Sequence, residues 1–561
     1  MSEKIISGSK YQEPGTKSQE PRRINLHLPH PKSSLLPSLS GEGLGVRCSL
    51  AVLLFTPYSV LSTIFKFDLR LTLITFYFLL FTQFPLHAQL LTPLSGEMNR
   101  RVEYRISQVS PEYFTLIKPY LQTDSIYPSF NNNPKPSSWL KRKLFYQSLV
   151  EVDSGDLYLY FDPVFDFSLG RDNSGRSIYT NTRGFIAGGR LGKNFAFGTS
   201  FYENQAIFPN YIHNNLQNKI ITGQGMGRLN GQTWDYAHSS GYLSYSPGKA
   251  LNIQLGQGKN FIGDGYRSLL LSDISYNYPY SRVTFLSKKI MYSWMLGIIQ
   301  DLNVKKGNEK YTYGKRMISS IVLSADITSK IQASLIKNTI FNNPDTLGNF
   351  NFRFQEFNPI LLPFNSENTH SIWGLNLKVI ICTNLWLYGQ LIFDNLTNNG
   401  DINKGFQLGA KYFNAFGLNG FYLQAEFNSI DPETYTSDNK TLNWMHYAEP
   451  LAHLYGNNFR EGIFHLIYNW KRWQFDNLSQ FSKQLDNNNI SGSELLYPFP
   501  SLNKTRVLHN NIQLMWFLNP KTTAHFSLGY TIHIEKNSEI QSTYGFVNFS
   551  FRTALFNNYL Y

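Results

Sequence analysis

From residue 156 to the C-terminus, apolar and polar side chains alternate with a period of two. Ala524, Phe526, Leu528, Tyr530, Ile532 and Ile534 interleave with Thr523, His525, Ser527, Gly529, Thr531 and His533. Phe421, Leu423, Ala425 and Phe427 alternate with Tyr422, Gln424, Glu426 and Asn428, and Phe406, Leu408, Ala410 and Tyr412 with Gln407, Gly409 and Lys411. Alternation over about ten residues predicts strands with lipid on one face and water on the other, as in a transmembrane barrel. A soluble β-sandwich alternates too, but these segments are longer than a sandwich needs. Eighteen strands are predicted: 156–168, 179–190, 193–203, 232–247, 250–258, 280–288, 290–302, 315–327, 329–341, 370–382, 384–396, 404–414, 419–429, 460–470, 472–484, 507–518, 521–534 and 541–552. Residues 441–448 are a candidate nineteenth. Tight turns such as 246–249, 328–330, 383–384 and 519–521 alternate with long loops near 204–231, 259–279, 342–369, 430–459 and 485–506. Short periplasmic turns and long external loops are how such barrels are built, and an even count closes the sheet without a free edge.

The chain before residue 156 reads differently. Ser110-Pro111-Glu112 predicts a helix start, with Ser at the N-cap and Pro in the first turn. Ser138 precedes Trp139, Leu140, Leu144, Phe145 and Leu149, whose spacing fits a helical face, and Asn131-Asn132-Asn133-Pro134 is a loop between the two. Residues 89–155 are therefore expected to form a small periplasmic helical segment packed against or into the barrel mouth, its apolar positions serving as core. Further upstream, Lys66 and Arg70 precede an apolar run over 71–84, followed by Leu86-His87-Ala88. That order is a secretory signal peptide, and the run is short for a spanning helix. A buried helix or a single membrane anchor is the alternative. The expected plan is a leader over 1–88 with its signal core at 66–88, a helical segment over 89–155 and an outer-membrane barrel over 156–561. The mature N-terminus is expected at Gln89. Residues 1–47 are polar, Pro-rich and aperiodic, and Pro57 breaks the patch 50–61, so residues 1–65 are read as a mis-assigned start.

Composition narrows the class further. Only 16% of residues are charged while 16% are aromatic, against roughly a quarter charged in ordinary globular chains. A mean hydropathy of −0.28 is too polar for a bundle of membrane helices, and 42% hydrophobic residues is too rich for a disordered chain. A soluble enzyme and a helical transporter are disfavoured together. The cysteines are Cys48, in the leader, and Cys382. The mature chain thus has no internal disulfide and no cysteine zinc site, and neither a metal nor a cofactor is expected. Residues 1–88 hold nine basic and five acidic side chains, so removing them lowers the net charge from +13 to +9. A basic, exported barrel suits acidic polysaccharide or lipid headgroups as partners, and nucleic acid is not expected. Gly545, Val547, Phe549 and Phe551 share a face near the C-terminal Tyr559-Leu560-Tyr561, an aromatic final strand of the kind that the barrel-insertion machinery takes.

The densest local motif runs from Gly256 through Gly258, Lys259, Gly263, Asp264, Gly265, Tyr266, Arg267, Ser268 and Ser272 to Asp273. It is not a Walker A loop, because Asp264 and Gly265 stand where Lys and Ser/Thr are needed, and no βαβ unit makes it a dinucleotide fingerprint. Gly223-Gln224-Gly225-Met226-Gly227 reads as a loop on the same grounds. This run, with its Ser268–Ser272 Ser-Leu-Leu-Leu-Ser stretch and the following Asn277-Tyr278-Pro279-Tyr280, resembles the signature of the capsule assembly Wzi family. Within that family it is similar to the RemB-type members linked to gliding motility. The resemblance extends over roughly residues 97–561 and implies an eighteen-stranded outer-membrane barrel with a helical periplasmic head. In the best-understood branch it implies a surface lectin for capsular polysaccharide. From the residues themselves, the clustered glycines let backbone run close to a wall or fold inward. Lys259, Asp264, Arg267 and Asp273 are expected to form an ion-pair network that locks the loop. The competing role is contact with polysaccharide by Lys259, Tyr266 and Arg267, aided by aromatics in or beside the loops: Tyr211, Trp234, Tyr276 and Trp444.

Enzymatic readings find little support. His525 and His533 lie eight residues apart on one face, too far to share a metal, and no H-E-x-x-H or G-x-S-x-G occurs. Ser527 beside His525 is the only candidate for a nucleophile pair. The expected function is therefore a non-enzymatic surface barrel that binds or organises polysaccharide or serves gliding motility, with a passive diffusion channel as the alternative.

Overall fold

The computed structural model describes residues 89–109, 113–122, 138–216, 219–305, 313–341, 368–394, 402–485, 505–537, 541–553 and 557. The leader lies outside them. Eighteen long antiparallel strands, each paired to the next in sequence, close into a single barrel. They are β1 Leu157–Asp172, β2 Ser177–Leu191, β3 Phe195–Ile207, β4 Thr233–Tyr245, β5 Leu251–Gly258, β6 Tyr278–Leu286, β7 Ile290–Lys305, β8 Tyr313–Thr328 and β9 Ile331–Phe341. The second half runs β10 Thr369–Cys382, β11 Leu385–Asp394, β12 Asn403–Phe413, β13 Phe421–Ile430, β14 Phe459–Trp470, β15 Trp473–Gln484, β16 Arg506–Asn519, β17 Ala524–Lys536 and β18 Gln541–Thr553. Closure comes from β18 on β1, in register from Phe546 against Asp172 to Arg552 against Asp166.

The alternation has its physical cause in an inverted surface. On β17, His525, Ser527, Thr531 and His533 are buried, whereas Phe526, Leu528 and Tyr530 are exposed. Cross-strand register aligns Trp470, Trp473, Trp516, Phe526, Phe551 and Phe167 in one outward row over six strands, the apolar and aromatic surface that lipid covers. Cys382 is free and exposed. The tight turns after the even-numbered strands mark the periplasmic end, and the long loops the external one. Far-UV circular dichroism of the refolded protein in detergent is expected to be strand-dominated, and unheated protein should migrate faster than boiled protein in a detergent gel. A helix-dominated spectrum would contradict this fold.

Three expectations need correction. First, residues 441–448 are not a barrel strand: they form a 3-10 turn, Lys440–Leu442, and a two-residue hairpin rung, Met445–His446 on Glu449–Pro450, inside the barrel. Second, the helix start expected at Ser110-Pro111-Glu112 lies outside the described residues, and the N-terminal helix that is described precedes it. The helix is α1 Gly96–Val109, capped by Ser95, whose hydroxyl accepts the Met98 N–H at 3.2 Å. Residues 113–122 are extended instead, because Ile117–Lys118 pair with Phe261–Ile262 and a helix would consume those backbone groups internally. Third, the predicted helix after Ser138 is present as α2 Trp139–Phe145, but Trp139, Leu140 and Leu144 are exposed rather than core. They lie at the barrel rim, where Asn519 donates to the carbonyls of Lys143 and Gln147.

The lumen is packed. α1 sits in the periplasmic mouth, where Val102 and Ile106 pack with Tyr120, Trp386, Phe413, Tyr422 and Ile467. Toward the external end, Leu269, Leu270 and Leu271 form an apolar core with Ile336, Ile340, Ile372 and Ile392 of the wall and with Tyr435, Trp444 and Leu451 from residues 431–458. Strand faces read as water-lined thus change character along their length. On β9, Gln332 and Ser334 face inward near the tight-turn end, Ile336 and Ile340 near the other.

Candidate functional site

The Gly-rich segment leaves β5 and folds back into the barrel, and the polar inward faces of five consecutive strands hold it. Asp264 accepts from the Thr115 hydroxyl at 2.5 Å and from Asn376 Nδ2 of β10 at 2.9 Å. On β11, Gln390 donates to the Ile262 carbonyl at 3.1 Å and accepts the Leu269 N–H at 2.9 Å. On β12, Gln407 donates to the Arg267 carbonyl at 3.0 Å. On β13, the Glu426 carboxylate receives the N–H groups of Tyr266 and Arg267 at 2.6 and 3.0 Å and the Tyr388 hydroxyl at 2.8 Å. On β14, Glu461 faces the Arg267 guanidinium at 3.4 Å and His453 Nε2 at 2.7 Å.

Two glycines make this docking possible. A Cβ on Gly265 would come within 2.6 Å of Glu426 Oε2 and 2.7 Å of the Arg267 carbonyl oxygen. One on Gly374, in the wall, would collide with the Leu270 side chain. Gly263 also faces a neighbour, Gln390, while Gly256 and Gly258 lie in β5 opposite Tyr280 and Tyr278. Ser268 closes the turn: its hydroxyl donates to the Ile262 carbonyl at 2.5 Å and receives the N–H groups of Leu270 and Leu271. The Ser272 hydroxyl donates to the Ala452 carbonyl and so ties the two lumenal segments together.

The four charged residues of the motif reach outward to different partners rather than chiefly to one another. Lys259 Nζ donates to the Asp273 backbone carbonyl at 2.8 Å, and the Asp273 carboxylate accepts from Asn557 at 2.8 Å. Burial pulls the Lys259 ammonium below its ordinary value, against the nearby Asp273 and Glu449 charges. Glu449, pushed up by burial, accepts the Gly223 and Tyr276 N–H groups at 2.6 and 2.9 Å and joins two external loops to residues 431–458. Tyr266 and Lys259 are half-buried and Arg267 is buried, with its guanidinium 5.3 Å from the Tyr266 ring centre. Of the loop aromatics, Tyr211, Trp234 and Trp444 are buried. Tyr211 stacks on His533 with ring centres 4.1 Å apart. Tyr276 remains half-buried beside Tyr447.

A cavity of about 230 Å³ remains on the β13–β18 side of the lumen, bounded by Glu97, Arg100, Tyr266, His465, Gln513 and Arg552. Two carboxylates at its periplasmic end have cations. Glu97 meets Arg100 and Arg101 at 2.7 and 2.6 Å, and Glu103 meets Lys411 and Lys118 at 2.6 and 3.4 Å. The nucleophile pair does not form: Ser527 bonds Ser550 at 2.6 Å, and His525 bonds the Thr523 carbonyl at 2.8 Å. The wall residues Gln390, Gln407, Glu426 and Glu461 were not singled out from the sequence. Their signal was there, as amides and carboxylates where small hydroxyls would serve a water-lined strand.

No known protein family matches the chain, and no curated protein matches it in sequence. Among solved structures it is similar to Wzi of Escherichia coli, described as an outer-membrane protein involved in group 1 capsule assembly and a carbohydrate-binding β-barrel. That likeness has 10% identity and a TM-score of 0.52, and covers 82% of this chain and 99% of the other. It also matches OprD of Pseudomonas aeruginosa at 10% identity and a TM-score of 0.41, over 75% of this chain and 98% of the other. At such identity the Wzi likeness speaks for the architecture alone: this chain has the fold of an outer-membrane β-barrel.

Proposed function

We propose that the protein is a surface barrel that binds or organises acidic cell-surface polysaccharide, in capsule attachment or in gliding motility of the RemB type. The filled lumen carries this reading. Three inserted segments and a buried hydrogen-bond lattice are structure that a passive pore has no use for, whereas a receptor needs a rigid platform under its external loops. Lys259 and Tyr266 are the proposed contacts, with Arg267 behind the Tyr266 ring. Charge-assisted bonds to carboxylates would be individually weak and gain by avidity when one polymer engages many copies. Retention of polygalacturonate by the detergent-solubilised protein is expected to fall as salt rises, since screening acts within about 8 Å at physiological ionic strength. The Lys259→Gln/Arg267→Gln variant should lose most retention while keeping heat-modifiable migration. Equal retention by a normally assembled variant would remove these residues from the site.

One observation favours a second reading. The cavity along β13–β18 reaches α1 at the periplasmic mouth, as a narrow diffusion path would. Planar-bilayer recording separates the two: a stable large conductance in the parent protein would favour the channel.

A further inference from the structure

α2 and the strand after it form a surface that the lumenal architecture does not use. Trp139, Leu140 and Leu144 are 59%, 56% and 45% exposed, and Lys141, Arg142 and Lys143 lie among them. The helix is fixed to the periplasmic rim. Asn519 Nδ2, at the end of β16, donates to the carbonyls of Lys143 and Gln147 at 3.2 and 2.9 Å. The Arg472 guanidinium, in the β14–β15 turn, lies 5.5 and 5.1 Å from the ring centres of Phe145 and Tyr146. The chain then adds Val150–Asp153 to β1, with Val150 opposite Phe161 and Val152 opposite Leu159. Directly opposed residues share a face, so both valines, exposed at 48% and 43%, continue the lipid-facing side on which Phe161 stands.

Charge and aromatic placement at this rim point the same way. Trp470 and Trp473 face outward at the β14–β15 turn, and Lys471 Nζ lies 5.3 Å from the Trp470 ring centre. Lys141, Arg142, Lys143, Lys471, Arg472 and Lys521 gather here. Of the nearby acids, Glu151 is paired with Lys521 at 2.6 Å, and Asp153 and Asp156 lie at the hairpin tip. A short helix with apolar side chains outward, flanked by cations and set level with an aromatic row, matches a segment lying in a membrane interface.

We propose that residues 138–152 and the β14–β15 turn form a surface anchor that takes anionic phospholipid of the periplasmic leaflet. Trp139, Leu140 and Leu144 enter the boundary between headgroups and acyl chains, and the lysines and arginines meet the phosphates. Charge complementarity and continuity with the lipid-covered strand face favour this occupant over a periplasmic protein.

The test uses the full chain with Cys48→Ser, Cys382→Ser and Leu140→Cys, a bimane label on the new thiol, and vesicles mixing phosphatidylcholine and phosphatidylglycerol. Bromine on the acyl chains of either lipid should quench the label. Quenching should be stronger when phosphatidylglycerol carries the bromine, because that lipid is enriched at the anchor. Adding Lys141→Gln, Lys143→Gln and Lys471→Gln should remove the preference while leaving the depth quenching. Binding of phosphatidylglycerol to the detergent-solubilised protein, followed by native mass spectrometry, should fall about 100-fold in that variant, since each of the three cations near an anionic surface contributes about fivefold. A label that brominated chains do not quench, in protein whose migration remains heat-modifiable, would overturn the membrane placement and indicate a protein or aqueous neighbour. Equal quenching by both lipids would overturn the anionic preference.

Discussion

In the Glu426→Ala protein, the backbone amides of residues 261–271 are expected to lose about 100-fold of their protection against hydrogen exchange while the barrel strands keep theirs. Glu426 is buried and accepts two loop N–H groups, Tyr266 and Arg267, besides the Tyr388 hydroxyl. Hydrogen bonds to a charged group contribute about 1.5–3 kcal/mol each, and donors left unsatisfied in a buried site add their own desolvation cost. On the order of 3 kcal/mol lost from docking shifts the docked–undocked equilibrium about 100-fold. The wall itself is spared, because the β13 ladder to β12 and β14 uses backbone groups alone. In planar bilayers the same variant should show bursts of conductance that the parent lacks. Unchanged exchange over 261–271 would mean that Gln390 and Gln407 suffice to hold the loop.

Glu103→Ala should release α1 from the periplasmic mouth. The Glu103 carboxylate lies between Lys411 and Lys118 and accepts the Tyr120 hydroxyl at 2.9 Å. Removing it leaves two buried ammonium groups without that partner, and breaking a buried pair from one side costs about 3–5 kcal/mol. Trypsin cleavage after Arg100, Arg101 and Arg105 is expected to accelerate at least about 100-fold, and an unchanged rate would show that the apolar contacts of Val102 and Ile106 hold the helix alone. A pH series on the parent protein checks the same contact. Burial by itself would raise the Glu103 carboxyl, but Lys411 and Lys118 outweigh it and hold the group at about 2. A pKa lowered in the folded state stabilises fully above the ordinary carboxylate value of about 4.3 and is lost as pH falls through the folded value. Helix docking should therefore be level from pH 5 to 8 and weaken between about 4.5 and 2.

The sequence by itself determined the wall of this protein. A strand's side chains alternate whatever lies beyond it, so Phe526, Leu528 and Tyr530 against Ser527 and Thr531 specify both the strand and its lipid-facing side from local information. Turn chemistry at 246–249 and 519–521 then orders the strands, and sequential antiparallel pairing leaves one closed topology. The helix after Ser138 was legible for the same local reason. What fills the barrel was not. The spacing of Met98, Val102 and Ile106 marks one face of α1, yet only the presence of Trp386, Phe413 and Tyr422 around the mouth makes that face buried. The Ser268–Ser272 stretch shows three leucines without saying what they meet. Their partners, Ile336, Ile372 and Trp444, come from segments about 65 to 175 residues away, and a period-two reading assigns the wall isoleucines no neighbour. Likewise, Arg267 stands near Asp264 and Asp273 in sequence, but its carboxylate is Glu461, across the lumen. Local patterning decides which way a side chain points. Which charge or cavity it meets there is decided by the closure of the sheet, which brings distant strands to within a few ångströms of one inserted loop.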